Sequence, residues 1–158
     1  MKFFKKHFFF LNLILFSLGI FVVALRINIF RYNNFDYGKF DLGNMSQMLW
    51  TTLHGHLMYL TDYFGTNLPR WSMSHVDPIL LLFLPLFMIF PSHMTLVVSQ
   101  LVLVTFSSLL IFLIADQKLE SKFSAFLFGL SFLFYPAVGF LIAWTGFHGV
   151  TVAIPFFL

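Results

Sequence analysis

Apolar runs and polar breaks alternate along the chain, and the runs have the lengths of membrane elements. From Phe8 to Leu25 there is no charge, and Asn12, Ser17 and Gly19 are the only interruptions. This run of about 18 residues comes close to the ~20 that cross ~30 Å of hydrocarbon as a helix. Ile79 to Phe90 is apolar apart from Pro85 but only about 12 residues long, which suits a re-entrant or interface-lying segment. Met94 to Ala115 predicts a second full span, with Ser99, Gln100, Thr105, Ser107 and Ser108 as its polar content. Phe123 to Trp144 predicts a third. Tyr135-Pro136 lies inside it, where the missing N–H should kink the helix. Val150 to Leu158 reads as the start of a fourth span, too short to cross.

The breaks carry the charge. Lys2, Lys5 and Lys6 precede the first run and predict a cytoplasmic N-terminus. A basic start followed by an apolar run also describes a signal peptide. The run is longer than the usual hydrophobic core of one, however, and Arg26-Ile-Asn-Ile-Phe-Arg31 follows instead of a small-residue cleavage site. A retained first span is the better reading. Residues 26–78 then form a long outer loop, Asp116 to Lys122 a short cytoplasmic turn, and Thr145 to Gly149 a second outward turn. Residues 1–158 read as a single all-α, polytopic membrane domain. A helix ending in hydrocarbon would leave its last carbonyls unsolvated. The sequence is therefore expected to be the N-terminal portion of a longer polypeptide.

Within the outer loop, Phe40 to Gly55 predicts an amphipathic helix. Leu42, Met45, Leu49 and Leu53 fall at three- and four-residue spacing on one face. Asp41 sits at the expected N-cap and Gly55 at the expected C′ position. Such a helix would lie along the outer surface with Trp50 near the headgroups.

Composition supports the membrane reading. The chain has 158 residues, of which 59% are hydrophobic and only 9% charged, whereas soluble domains carry about 25% charged residues. With no cysteine, disulfides, thiolate metal sites and cysteine nucleophiles are excluded. The net charge of +3 is not gathered into a basic face, so no nucleic-acid partner is expected. Nucleotide-binding glycine loops and the Gly-x-Ser-x-Gly nucleophile motif are also missing.

Candidate chemistry lies in the outer segments. Asp41 is either a helix cap or a reactive carboxylate. His75 and Asp77, two apart, share one side of an extended chain and could act as a base or hold a metal, or simply lead into the helix that Pro78 starts. His54 and His56 could pinch a metal only with further ligands. Arg70 and Lys39 suit an anionic group such as a lipid phosphate. His148 lies between two outward-turn residues, Phe147 and Gly149.

Read together, several of these residues resemble a known family. Phe40-Asp-Leu-Gly43, Gln47-x-Leu-Trp50, His54-Gly55, His75-x-x-Pro78-Ile-Leu, Pro85-Leu86 and Gln100, with Phe147-His148 and Pro155, resemble the predicted membrane proteins grouped as domain of unknown function 2079. The likeness runs from Phe35 onward. That family is in turn similar to the GT-C superfamily of membrane glycosyltransferases. The order span, acid, surface helix, short apolar segment, span is the same. The resemblance implies a GT-C-like N-terminal part that transfers sugar from a polyprenyl-phosphate donor at the outer face of the plasma membrane. It makes Asp41 the catalytic acid, either activating the acceptor hydroxyl or binding a divalent metal ion. Asn44, Gln47, Trp50, His54, Arg70, His75 and His148 would line the substrate site, against membrane lipids. Members often carry a second acid where this chain has Ser46, and Asp-Phe-His-Pro where it has Gly146-Phe147-His148-Gly149. Those departures support the alternative of a non-catalytic binding or assembly subunit. A transporter is the weaker third reading, since no ionisable residue lies at the centre of a span.

Overall fold

The computed structural model describes residues 2–37, 42–61, 64–72, 77–144 and 146–158, with side chains from His7 onward except those of Val150 and Thr151. Helix α1 runs Lys2–Asn33, α2 Asn44–Leu53, α3 Leu84–Ile89, α4 His93–Lys118, α5 Lys122–Leu133, α6 Pro136–Ala143, α7 Gly149–Val152 and α8 Ile154–Phe157. Two short strands, β1 (Tyr59–Thr61) and β2 (Asn67–Pro69), pair antiparallel with Leu60 opposite Leu68. A single 3₁₀ turn follows at Arg70–Ser72, and a longer 3₁₀ segment, Pro78–Phe83, leads into α3.

Two helices are long and apolar enough to cross a membrane, His7–Asn33 of α1 and all of α4. The α5–α6 pair makes a third span if counted as one helix bent by 49°. The bend falls where the sequence predicts it. Pro136 lacks an N–H, and Tyr135 before it takes an extended conformation (φ −66°, ψ 124°). The Pro78–Ile89 segment is a shorter apolar helix. Helix α1 continues past Leu25, through Arg26 and Arg31, to Asn33. Residues 26–33, read from sequence as loop, therefore belong to a helix about 48 Å long.

Helix α4 is central. Half of its apolar stretch is buried inside the protein, against 17% for that of α1. The aromatic contacts fix the helix directions. Phe9 meets Phe123 and Phe126, and Phe10 meets Phe112, at one end. Tyr32 meets His93 at the other. Helices α1 and α4 are therefore antiparallel, and α5–α6 returns alongside α1.

Small residues bring three helices together near mid-span. A Cβ on Gly129 of α5 would lie 2.6 Å from Leu13 Cδ2 of α1 and 3.0 Å from the Ser108 carbonyl oxygen of α4. Ser17 and Ser108 share a hydrogen bond of 3.0 Å in the same buried layer. Close backbone approach with hydroxyls bridging between helices is how spans associate when the surrounding solvent is as apolar as leucine. Leu13, Phe112, Ala125 and Leu133 form the core there. A second, larger core gathers α2, α3, α4 and α6 around Met48, Leu49, Leu80, Leu101 and Phe147.

Candidate functional site

Helix α2 is amphipathic as the spacing predicts, with Leu42, Met45, Met48 and Leu49 buried. Ahead of Asn44 the chain is already helical at Leu42 and Gly43, the latter at φ −63° and ψ −48°. Asp41 lies outside the described residues, as does His75, so the expected catalytic acid and its histidine partner have no described geometry. At the other end His54 caps the helix and Gly55 takes the left-handed φ of +86° expected of a C′ glycine.

The polar side of α2 carries the β hairpin. Gln47 donates from Nε2 to Thr61 Oγ1 (2.7 Å) and accepts from Thr61 N–H at Oε1 (3.2 Å). Thr51 donates to the Tyr59 carbonyl (2.8 Å), and Thr52 Oγ1 accepts from Met58 N–H (2.8 Å). Arg70 N–H then donates to the Met58 carbonyl (2.9 Å), which places Arg70 at the hairpin's end. Asn44 is the half-buried first residue of α2. Trp50 is half exposed and stacks on His54 at 4.0 Å, with His54 Nδ1 2.7 Å from the Trp50 carbonyl oxygen.

The second outward turn is where the separate elements converge. Arg70 and Asp77 form an ion pair (3.5 Å) with both side chains largely buried. Against it lies Gly149, where a Cβ would stand 3.3 Å from Asp77 Oδ1 and 3.2 Å from Ile79 Cγ2. Phe147 is fully buried, edge-on to Phe83 at 5.5 Å. Gly146, at φ +75°, would place a Cβ 3.5 Å from both Leu42 Cβ and the Tyr37 ring. His148 thus sits in a turn that packs closely at Gly149 and in ordinary contact at Gly146. The turn's neighbours in space are the start of α2, Asp77 of the ion pair and Ile79 of the Pro78 segment.

Three long-range polar side chains hold that turn. The last four carbonyls of a helix lack intrahelical partners. At the end of α6, Gln100 Nε2 donates to the Leu141 carbonyl (3.1 Å) and Asn28 Nδ2 to that of Ile142 (2.8 Å). Arg31 Nη1 donates to the Ala143 (2.9 Å) and Trp144 (2.7 Å) carbonyls. Gln100 also donates to the Gly146 carbonyl (3.0 Å) and accepts from His148 N–H at Oε1 (2.7 Å). Arg31 further bonds Asp36 (2.9 Å) and lies over the Tyr37 and Trp144 rings. The Tyr37 hydroxyl donates to Asn28 Oδ1. Burial raises the Tyr37 pKa above 10.0; Arg31 opposes that shift and Asp36 adds to it.

The structure thus brings Arg70, through its pair with Asp77, to the turn that carries His148 and leaves Trp50 and His54 on the exposed side of α2. Asn28, Arg31, Tyr37 and Gln100 form the polar framework that site-directed reading of the sequence left out. Polar residues in or beside apolar runs were the signal available for them. Among the described residues, no three His, Cys, Asp or Glu side chains are grouped closely enough to hold a metal ion. What the arrangement offers chemically is a guanidinium, paired with Asp77, beside the turn that carries His148; guanidinium groups suit anionic and hydrogen-bonding partners.

A helical membrane protein with its polar chemistry collected at one end of its spans is the class defined by these features. More particularly, residues 31–158 match the family model of predicted membrane proteins designated domain of unknown function 2079, and the chain belongs to that family. No curated protein and no solved structure matches the chain.

Proposed function

We propose that this chain is part of a glycosyltransferase-like membrane protein that takes sugar from a polyprenyl-phosphate donor at the outer face of the plasma membrane, with the N-terminus in the cytoplasm. The observation that supports the reading is the convergence just described. Leu42, the residue after Asp41, packs on the turn that carries His148, and the Arg70–Asp77 pair flanks the same turn. In this reading the Asp41 carboxylate accepts the proton of the acceptor hydroxyl as its oxygen attacks the anomeric carbon. The bond to the lipid phosphate breaks, and Arg70 and His75 offset the charge on the departing phosphate. Trp50 and His54, with Asn44 and Gln47, border the sugar. A divalent metal ion at Asp41 would draw on residues outside those described.

The test uses host membranes containing the protein and a panel of tritiated polyprenyl-phosphate hexoses. Wild type transfers label to a lipid or protein acceptor. Asp41→Asn abolishes transfer while its level and thermal unfolding stay as in wild type. Equal transfer by Asp41→Asn overturns the assignment. A second reading is a non-catalytic binding or assembly subunit, supported by Gln47, whose amide is taken up at both ends by Thr61. It predicts no transfer from any donor and no loss of stability at Asp41→Asn, since asparagine caps a helix as well as aspartate, whereas Asp41→Ala would lose about 1 kcal/mol, the worth of a helix cap.

A further inference from the structure

A groove of about 580 Å³ runs between the Pro78–Ile89 segment and α4, walled by Leu82, Leu86 and Phe90 on one side and Val98, Ser99 and Val102 on the other. We propose that it seats one acyl chain of a bilayer phospholipid, from the leaflet on the hairpin side. The proposal does not depend on the transferase reading.

Four observations support it. The volume lies within the ~300–1,000 Å³ typical of small-molecule sites. The groove extends along α4 from Ser92 to Leu103, about 16 Å at the helical rise per residue. That is one leaflet of a ~30 Å hydrocarbon core, the length of an acyl chain and far less than that of a polyprenyl chain. Its hydroxyls are all engaged within the protein. Thr95 donates to the Phe90 carbonyl (2.6 Å), Ser99 donates to that of Thr95 (2.7 Å), and Ser92 Oγ accepts from Met94 N–H (3.2 Å). A water needs two to four polar partners to occupy a cavity, and outside these three hydroxyls the lining is apolar apart from backbone, so it suits hydrocarbon better than water. Finally, the groove is continuous with the lipid-facing surface of α4. Val102 and Leu113, both about two-fifths exposed, are eleven residues apart and so lie on one helical face. An empty groove at hydrocarbon depth would forfeit dispersion contacts along its whole length, and the bilayer's own chains are at hand to fill it.

The protein is reconstituted in phosphatidylcholine–phosphatidylglycerol vesicles that contain a phosphatidylcholine with a diazirine on its sn-2 chain. After irradiation, adducts are mapped by mass spectrometry. Adducts per residue over 82–103 should exceed several-fold those over the exposed α1 face of Leu15, Phe16, Val22 and Val23, which reports ordinary lipid contact. Val102→Trp fills the groove from one wall and Leu86→Trp from the other. Each should bring labelling down to the α1 level with thermal unfolding unchanged. Labelling of 82–103 no greater than that of α1 in the wild-type protein overturns the proposal, whatever the variants do. Undiminished labelling in folded variants also overturns it. So does displacement of the probe from 82–103 alone by polyprenyl phosphate, which would give the groove to a carrier lipid. A cross-link through it between two copies would give it to a protein partner.

Discussion

Replacing Gln100 with leucine tests how firmly the outward turn is held. The side chain is 1% exposed, and its amide makes three bonds to backbone groups of residues 141, 146 and 148. Leucine nearly matches its volume, so the change removes the bonds without opening a large cavity. Polar contacts between membrane helices average about 0.6 kcal/mol in double-mutant cycles, which sets a lower bound near 2 kcal/mol for three. Net values of about 1–1.5 kcal/mol for each buried bond raise the figure to about 4 kcal/mol. Gln100→Leu should therefore lose about 2–4 kcal/mol, read from reversible unfolding in mixed micelles. The loss should also be local. Amide exchange at Phe147, His148 and Gly149 should accelerate by a larger factor than at Leu13 or Ala125, which belong to the separate core near mid-span. A loss below about 0.5 kcal/mol, the scatter expected of an uninvolved substitution, would refute the reasoning. So would exchange that rises uniformly along the chain.

Two further substitutions probe other parts of the framework. Gly129→Ala puts a methyl group 2.6 Å from Leu13 Cδ2 and 3.0 Å from a backbone oxygen that cannot swing aside. It should destabilise by about 1–3 kcal/mol, the usual cost of overpacking, and a neutral result in the same unfolding assay would mean that the helices part easily. Tyr37 has its pKa raised by burial. Its contribution is then fully present below the unfolded value of about 10 and is lost as pH climbs through the higher folded value. The stability advantage of wild type over Tyr37→Phe should shrink as melts are taken from pH 9 upward, and a constant difference would contradict the burial.

The helices were readable in the sequence for local reasons. The apolar runs of α1 and α4 are long, and Pro136 breaks a helix whatever surrounds it. The amphipathic stripe of α2 needed only its own spacing. What the sequence hid depends on distant partners. Arg26 and Arg31 looked like the end of the first span, yet the helix continues to Asn33. Asn28 and Arg31 find acceptors 112 to 114 residues away, on α6. Strands of three residues, such as Tyr59–Thr61, are too short to show a period. Gln47 and Thr51 hold the hairpin through Thr61 and Tyr59, partners that their helical spacing does not show. Among the residues expected to line a site, Arg70 reaches the turn of His148 through its pair with Asp77, while Trp50 and His54 lie on the exposed side of α2.

The bend at Pro136 and the polar framework are two halves of one arrangement. A helix of eight residues, Pro136–Ala143, makes few bonds of its own, and its last four carbonyls would face apolar surroundings. Each of those carbonyls, from Leu141 to Trp144, instead takes a donor from α1 or α4. A leucine at position 100 or 28 would suit hydrocarbon better, and a charged guanidinium is costly there unless fully bonded. These side chains therefore do more than fill space. They fix the direction in which α6 ends, and with it the turn from Gly146 to Gly149. The close approach at Gly149 then leaves that turn little room to shift toward Asp77. His148 and the Arg70–Asp77 pair are accordingly held in register by the spans, not by the loop that joins them.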